Sequence, residues 1–136
     1  MAGAPALLRQ ARELAAAAPA TAFGRAVAER GATLALLQEG SRDGDPQCRA
    51  LVADLGARRG AAAAGLASAL NLRRIVLAGT PALFGEPLLE AVRTELGARI
   101  LPRQAQETQV TFSTLGPDIV LRGACALVLG RELGIP

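Results

Sequence analysis

Two short stretches of this 136-residue chain, 75–78 and 108–113, read as β-strand, and that scarcity limits the folds open to it. Ile75-Val76-Leu77-Ala78 is an apolar run between the basic pair Arg73-Arg74 and Gly79. It reads as a strand buried on both faces, as in a parallel sheet. Thr108 to Ser113 alternates instead, with Thr108, Val110 and Phe112 on one side and Gln109, Thr111 and Ser113 on the other. That pattern fits a strand with one face buried. Between them a helix opens at Gly85 to Pro87, turns Leu88, Leu89, Val92 and Leu96 inward, and stops at Pro102. Its acids Glu86 and Glu90 come early and Arg93 and Arg99 late, the order the helix dipole favours. Strand, helix and strand in this order make a right-handed parallel crossover. Two strands are too few for a stable sheet. The expectation is that further strands come from a missing N-terminal half or from another chain, so that the partners are either that half or a homo-oligomer.

The rest of the chain reads as helix. Leu7, Leu8, Ala11, Leu14, Ala15 and Ala18 form an amphipathic stripe over 5–18 that Pro19 ends. Thr21 caps a short helix to Arg30, with Phe23 and Val27 on one face and Gly31 closing it. A further turn or two spans Thr33 to Glu39, and Gly40 to Asp45 reads as a polar loop. Asp45-Pro46 starts a long helix to Leu70, Asp at the cap and Pro at the first helical position. Its apolar stripe is Cys48, Val52, Leu55, Ala62, Leu66 and Ala69. A second stripe, Gly56, Gly60 and Ala64, predicts the close approach of another backbone, because glycine inside a helix costs about 1 kcal/mol against alanine. Pro117-Asp118 starts a final helix that is apolar around most of its circumference and should be largely buried, and Gly134 and Pro136 end it. Residues 1–44 are thus a helical segment, and 45–136 hold the long helix, the crossover unit and the final helix, within one domain or domain fragment.

Composition excludes several functions. The chain has no histidine, so neither a histidine-based triad nor a histidine-ligated metal site is possible, and no metal site is expected. It has three Phe and no Tyr or Trp, which leaves no stacking platform for single-stranded nucleic acid. All 15 basic residues are arginine, set against 12 acids, and they are scattered in pairs at most. A net charge of +3 so dispersed makes no duplex-binding patch, and direct contact with nucleic acid is not expected. Cys48 and Cys125 read as small buried hydrophobes. No signal peptide and no membrane-spanning run is legible, so a cytoplasmic protein without membrane contact is expected.

Four segments in order resemble the ROK family of repressors, open reading frames and sugar kinases. Gly3 to Leu8 with Arg9 to Leu14 is similar to the helix that follows that family's zinc-binding cysteines. Gly44-Asp45-Pro46 resembles its long-helix start. Gly60 to Asn71 followed by Arg73 to Gly79 resembles its glycine-bearing helix running into an Ile-Val-Leu-Gly-Gly strand. Leu115-Gly116, Asp118, Leu121 and Gly123 to Leu127 resemble its closing helix. The family's acidic phosphate-binding strand, catalytic aspartate, sugar-contacting residues and zinc cluster have no counterpart in this sequence. The chain also has Leu72 where many members have proline, and Ala78-Gly79-Thr80 where nucleotide-binding members tend to three glycines.

The resemblance implies a helix-rich α/β fold, the C-terminal portion of an actin-like (ribonuclease H-like) ATPase fold with few parallel strands flanked by helices. Ligands of open α/β sheets lie beyond the carboxyl ends of strands, and glycine there lets backbone approach a purine or phosphate. Ala78, Gly79, Thr80 and Gly116 are therefore degenerate nucleotide-loop candidates, in the loop that lies against adenosine in kinase relatives. Gly79 reads equally as a simple chain turn, Gly123 as a helix-packing glycine, and Asp118 as a first-turn acid. No carboxylate pair suggests acid–base catalysis, so no catalytic residue is assigned and no cofactor is expected for this chain alone. The resemblance leaves two parents: a sugar-responsive transcriptional regulator, in which this is the sensor and dimerisation part, or a glucokinase-like enzyme, in which ATP would be retained; a third reading is a degenerate, free-standing remnant that dimerises through its exposed sheet edge. A sugar ligand belongs to either parent.

Overall fold

The computed structural model describes residues 4–116 and 119–134. Seven α-helices and two strands follow in the order α1 (Ala4–Ala17), α2 (Ala22–Arg30), α3 (Leu34–Asp43), α4 (Pro46–Leu70), β1 (Arg74–Leu77), α5 (Gly85–Arg99), α6 (Pro102–Glu107), β2 (Gln109–Phe112) and α7 (Ile119–Leu133), with a 3-10 helix at Thr80–Phe84 before α5. The strands pair in parallel, with Arg74 opposite Gln109 and Leu77 opposite Phe112, so the crossover expected from the sequence is present. Among the described residues the sheet holds these two strands.

Side-chain caps set the helix starts. Thr21 Oγ1 accepts from the Gly24 amide at 3.0 Å and Thr33 Oγ1 from the Leu36 amide at 3.2 Å. Asp45 Oδ1 accepts from Gln47 and Cys48 at 2.9 and 3.0 Å, with Pro46 at the first helical position. Each cap satisfies amide groups that the helix itself cannot. The polar loop expected at Gly40–Asp45 is instead the end of α3. The backbone reverses only at Gly44, whose left-handed conformation (φ 87°) closes the helix. Pro102 likewise starts α6 rather than only stopping α5, since proline lacks just the amide hydrogen that a first helical position does not use.

The core forms where α4 and α5 cross. Leu88 and Val92 are sealed from solvent there, and Leu37 and Cys48 where α3 packs on the start of α4. A β-carbon placed on Gly60 would lie 2.7 Å from the Val92 carbonyl oxygen and from Glu95 Cβ, and one on Gly56 would collide with Ala91 Cβ and sit 3.1 Å from the Leu88 oxygen. The glycine stripe is thus the contact surface for α5. It also redirects the apolar stripe of α4. Beyond Leu55 the buried positions are Gly56, Gly60, Ala63, Ala64 and Ala67, whereas Ala62, Leu66 and Ala69 are exposed. Those three face away from α5 because the glycines fix which side of α4 turns toward it.

The sheet is bound to this core along one face. Val110 is buried, and Ile75, Leu77 and Phe112 pack on the core partly covered. Arg93 donates to the Val110 carbonyl at 3.0 Å while holding Glu86 at 2.6 Å, so α5 is tied to β2. Gln104 and Thr108 donate to the carbonyls of Ala67 and Leu72 at 2.7 and 3.0 Å, fixing the approach to β2 against the end of α4. β1 is not buried on both faces: among the described residues nothing seals its second face, and Val76 is exposed. The final helix departs further from expectation. Residues 121–129 of α7 are exposed throughout, because no other element among the described residues covers them. Gly123 is therefore not a packing glycine: a β-carbon there would meet nothing within 4 Å. The expected helix start at Pro117-Asp118 lies outside the described residues.

Candidate functional site at the strand ends

Because the strands are parallel and in register, both leave the sheet on the same side. β1 runs into Ala78-Gly79, and β2 into the turn that ends at Gly116. The ladder continues one step past the strands, where the Ser113 amide donates to the Leu77 carbonyl at 2.8 Å. Ser113 Oγ then accepts from the Leu115 amide at 3.1 Å, tightening the second turn.

Gly79 has φ 77° and ψ −145°, a combination open in practice to glycine alone. Its carbonyl accepts from the Ala82 amide at 3.0 Å and so starts the 3-10 helix. A β-carbon on Gly79 would meet no atom within 4 Å, and the same holds for Gly116 (φ 76°). Both glycines are required by backbone conformation rather than by a crowded neighbour, and both leave open space above the strand ends.

Along the free edge of β1 lies a cavity of about 640 Å³, walled by the start of α1, one side of α4, and β1 itself. Ala78 and Thr80 line it; Gly79 and Gly116 do not. The structure thus brings two of the four candidate residues to one cavity and leaves the others on adjoining turns. Thr80 and Ala78 present side chains where a bare glycine backbone would admit a flat ring, which narrows the approach.

Sequence reasoning missed the cations of this cavity. Arg59 and Arg74 both line it, among Leu55, Leu66, Leu72 and Val76. Burial in these apolar surroundings pulls the Arg59 pKa below its ordinary value, since a guanidinium loses hydration there. The signal was legible as spacing: Leu55, Arg59, Ala62 and Leu66 recur at helical intervals and share one side of α4. No carboxylate belongs to the lining. Among the described residues no group of three or more Cys, Asp or Glu side chains is placed to hold a metal ion.

The cysteines divide. Cys48 is buried under the α3–α4 turn, and its thiol is pushed up to about 12 by burial, with the charge of Asp45 and a hydrogen bond to it adding to the rise. It is an inert core thiol. Cys125 is exposed on α7, against expectation, because α7 lies free of the core.

The described residues form a helix-rich α/β fold with a short parallel sheet and glycine turns at its carboxyl end. A solved structure from Cytophaga hutchinsonii, assigned as a sugar kinase, superposes on 93% of this chain with a TM-score of 0.81 at 18% sequence identity. Over 73 residues, 54% of the chain, the sequence is 37% identical to a glucokinase of Halalkalibacterium halodurans. The chain spans 42% of the first protein and the matched segment 22% of the second. No protein-family profile matches it. The chain is sugar kinase-like, in fold along nearly its whole length and in sequence over about half of it. No helix among the described residues is long and apolar enough to cross a membrane.

Proposed function

We propose that this chain is the C-terminal sensor and dimerisation part of a ROK-type, sugar-responsive transcriptional regulator, and that it transfers no phosphate by itself. The carrying observation is the chemistry of the cavity beside Ala78 and Thr80: apolar walls, two arginines, and no carboxylate in the lining. Phosphoryl transfer to a sugar hydroxyl needs a base for that hydroxyl and a metal-bound clamp for the nucleotide, and neither role has a residue here. The methyl-bearing side chains of Ala78 and Thr80, at the place where kinases of this type favour glycine, support the same reading. A regulator keeps the body of the fold for sugar sensing and for pairing with a second copy, and it works in the cytoplasm.

A second reading is favoured by the 37% match to a glucokinase. In it the chain is the C-terminal part of a ROK sugar kinase that phosphorylates a hexose with ATP. Ala78, Gly79, Thr80 and Gly116 then border the nucleotide, and the base and metal clamp are supplied by the other part of the protein.

One assay tests whether the chain transfers phosphate by itself; the two parents are separated by the rest of the protein, where a winged-helix segment favours the regulator and an Asp-x-Gly phosphate strand the kinase. The purified chain is incubated with ATP, magnesium and a hexose panel, and ADP formation is followed. The expected result is no turnover above a sugar-free control. Hexose-dependent ADP release by the chain would overturn the reading that it transfers no phosphate by itself.

A further inference from the structure

Between β1 and α5 the chain crosses a short segment that is fixed at both ends and loosely held in the middle. The strand end is fixed because the Leu77 carbonyl accepts from the Ser113 amide at 2.8 Å. The helix end is fixed because Arg93 joins Glu86 to the Val110 carbonyl. Just inside these posts stand Gly79 (φ 77°, ψ −145°) and Gly85 (φ 60°, ψ −150°), both in a region of backbone space that side chains exclude. A β-carbon on either would meet nothing within 4 Å. Between them Thr80–Phe84 is a 3-10 helix, a form whose hydrogen bonds are poorly aligned. Among the described residues no hydrogen bond joins Thr80–Leu83 to α3, α4 or β2. Phe84 alone in the segment is buried, in the core, while Leu83 beside it is 44% exposed. Space lies on both sides. Thr80 and Pro81 border the 640 Å³ cavity, and Leu83 and Phe84 border a second one of about 240 Å³ against Gln38 and Arg42 of α3.

We propose that Thr80–Phe84 is a strap that swings as one piece about Gly79 and Gly85, with Phe84 as its latch and Thr80 and Pro81 as the edge that closes one end of the cavity beside β1. Glycine passes between backbone regions with no side chain in the way, and the open surroundings leave each of the two room to do so. Segments with few buried contacts are the ones that open locally while the rest of a fold stays intact. The main cost of opening is the removal of one phenyl ring from the core, which sets the open form at about 1% of molecules. The posts do not follow, because Leu77 and Glu86 are both tied to the β2 side of the sheet. Opening carries Thr80 and Pro81 away from the cavity wall and so widens the way in from the strand ends. The strap stands whether the parent protein is a regulator or a kinase, and its test uses neither sugar nor ATP.

The experiment is NMR relaxation dispersion, which reads microsecond-to-millisecond exchange, on the full chain and on two variants, Phe84→Leu and Leu83→Ala. In the unmodified chain the amides of Gly79, Thr80, Ala82, Leu83, Phe84 and Gly85 should disperse together, with one rate and a minor population of about 1%. The amides of β2 and of Leu88 to Leu96 in α5 should stay flat. The Ile75 methyl groups, on the cavity wall, should report the same rate as the strap. Phe84→Leu shortens the latch and should raise the minor population about fivefold, whereas Leu83→Ala, on the same strap but outside the core, should leave it unchanged. Flat profiles across the strap would refute the proposal. So would a single exchange process shared by the strap, α5 and β2, which would be unfolding of the core and not the swing of one segment. A Phe84→Leu population equal to that of the unmodified chain would refute the latch, and a silent Ile75 would refute the closing of the cavity. Should Phe84→Leu fail to fold, the profile of the unmodified chain decides the matter by itself.

Discussion

Gly60 and Gly65 lie on the same helix, five residues apart, and replacing each by alanine should change stability in opposite directions. Both substitutions relieve the backbone entropy cost of a helical glycine, a gain of about 1 kcal/mol. At Gly65 the new methyl meets nothing within 4 Å, so that gain should appear undiminished. At Gly60 the methyl would sit 2.7 Å from the Val92 carbonyl oxygen and 2.7 Å from Glu95 Cβ. The first of these is helix backbone and cannot rotate aside. α4 and α5 must separate along their contact, which loosens Val92 and Leu88 in the most buried part of the core. Overpacking of this kind costs about 1–3 kcal/mol, so the net effect at Gly60 is destabilisation by about 1 kcal/mol. Urea denaturation followed by circular dichroism measures both on one scale. The two midpoints should move apart, with Gly65→Ala above the parent and Gly60→Ala below it, a span of about 2 kcal/mol. If Gly60→Ala is as stabilising as Gly65→Ala, the glycine stripe is not the α5 contact and the packing argument fails.

Asp45→Ala should cost about 1 kcal/mol, seen as a lowered melting temperature, because it releases both the Gln47 and Cys48 amides at the start of α4. Gly79→Ala should cost about 1–3 kcal/mol by the same measurement, despite open space around the added methyl, because the backbone there is positive in φ. Cys48 should resist thiol reagents until the chain unfolds. Burial pushes its thiol from the ordinary value near 9 up to about 12 in the folded chain, so the associated stability is intact below about pH 9 and is lost as pH rises toward 12. Chemical denaturation at stepped alkaline pH checks that slope, and a Cys48→Ala variant should flatten it. The chain alone should not retain duplex DNA at physiological ionic strength in a mobility-shift assay, where salt-sensitive binding would contradict the scattered placement of its arginines.

Local chemistry made much of this fold legible. Thr21, Asp45-Pro46, Gly31 and the paired inner leucines of α5 each carry their own signal, and the structure uses each as read. The glycine stripe on α4 announced a close helix contact without naming α5. What sequence periodicity could not show was which surfaces find a neighbour. Ala62, Leu66 and Ala69 have helical spacing and still lie outside, because in an alanine-rich helix several faces are equally apolar and only the glycines choose among them. The apolar runs of β1 and α7 predicted burial, yet Val76 and Leu127 are open: hydrophobicity states a demand for cover, and the cover has to come from another element. At the candidate site, the place of Ala78 and Thr80 after a strand was legible, and the cavity they line was not. Arg59 was passed over because a basic pair in a helix usually means a solvated face.

The placement of Gly56 and Gly60 has a mechanical consequence for α4. A 25-residue helix with two poor helix formers near its middle is, on its own, two shorter rods joined at a soft point. α5 acts as the splint across that joint, with Ala91 and Glu95 laid against the soft stretch. The N-terminal rod carries the α3 side of the molecule, and the C-terminal rod carries Ala62, Ala63 and Leu66 of the groove beside β1. Any force or partner that lifts α5 would therefore let the two ends bend relative to each other, and the groove beside β1 would change shape without a single residue in it being touched.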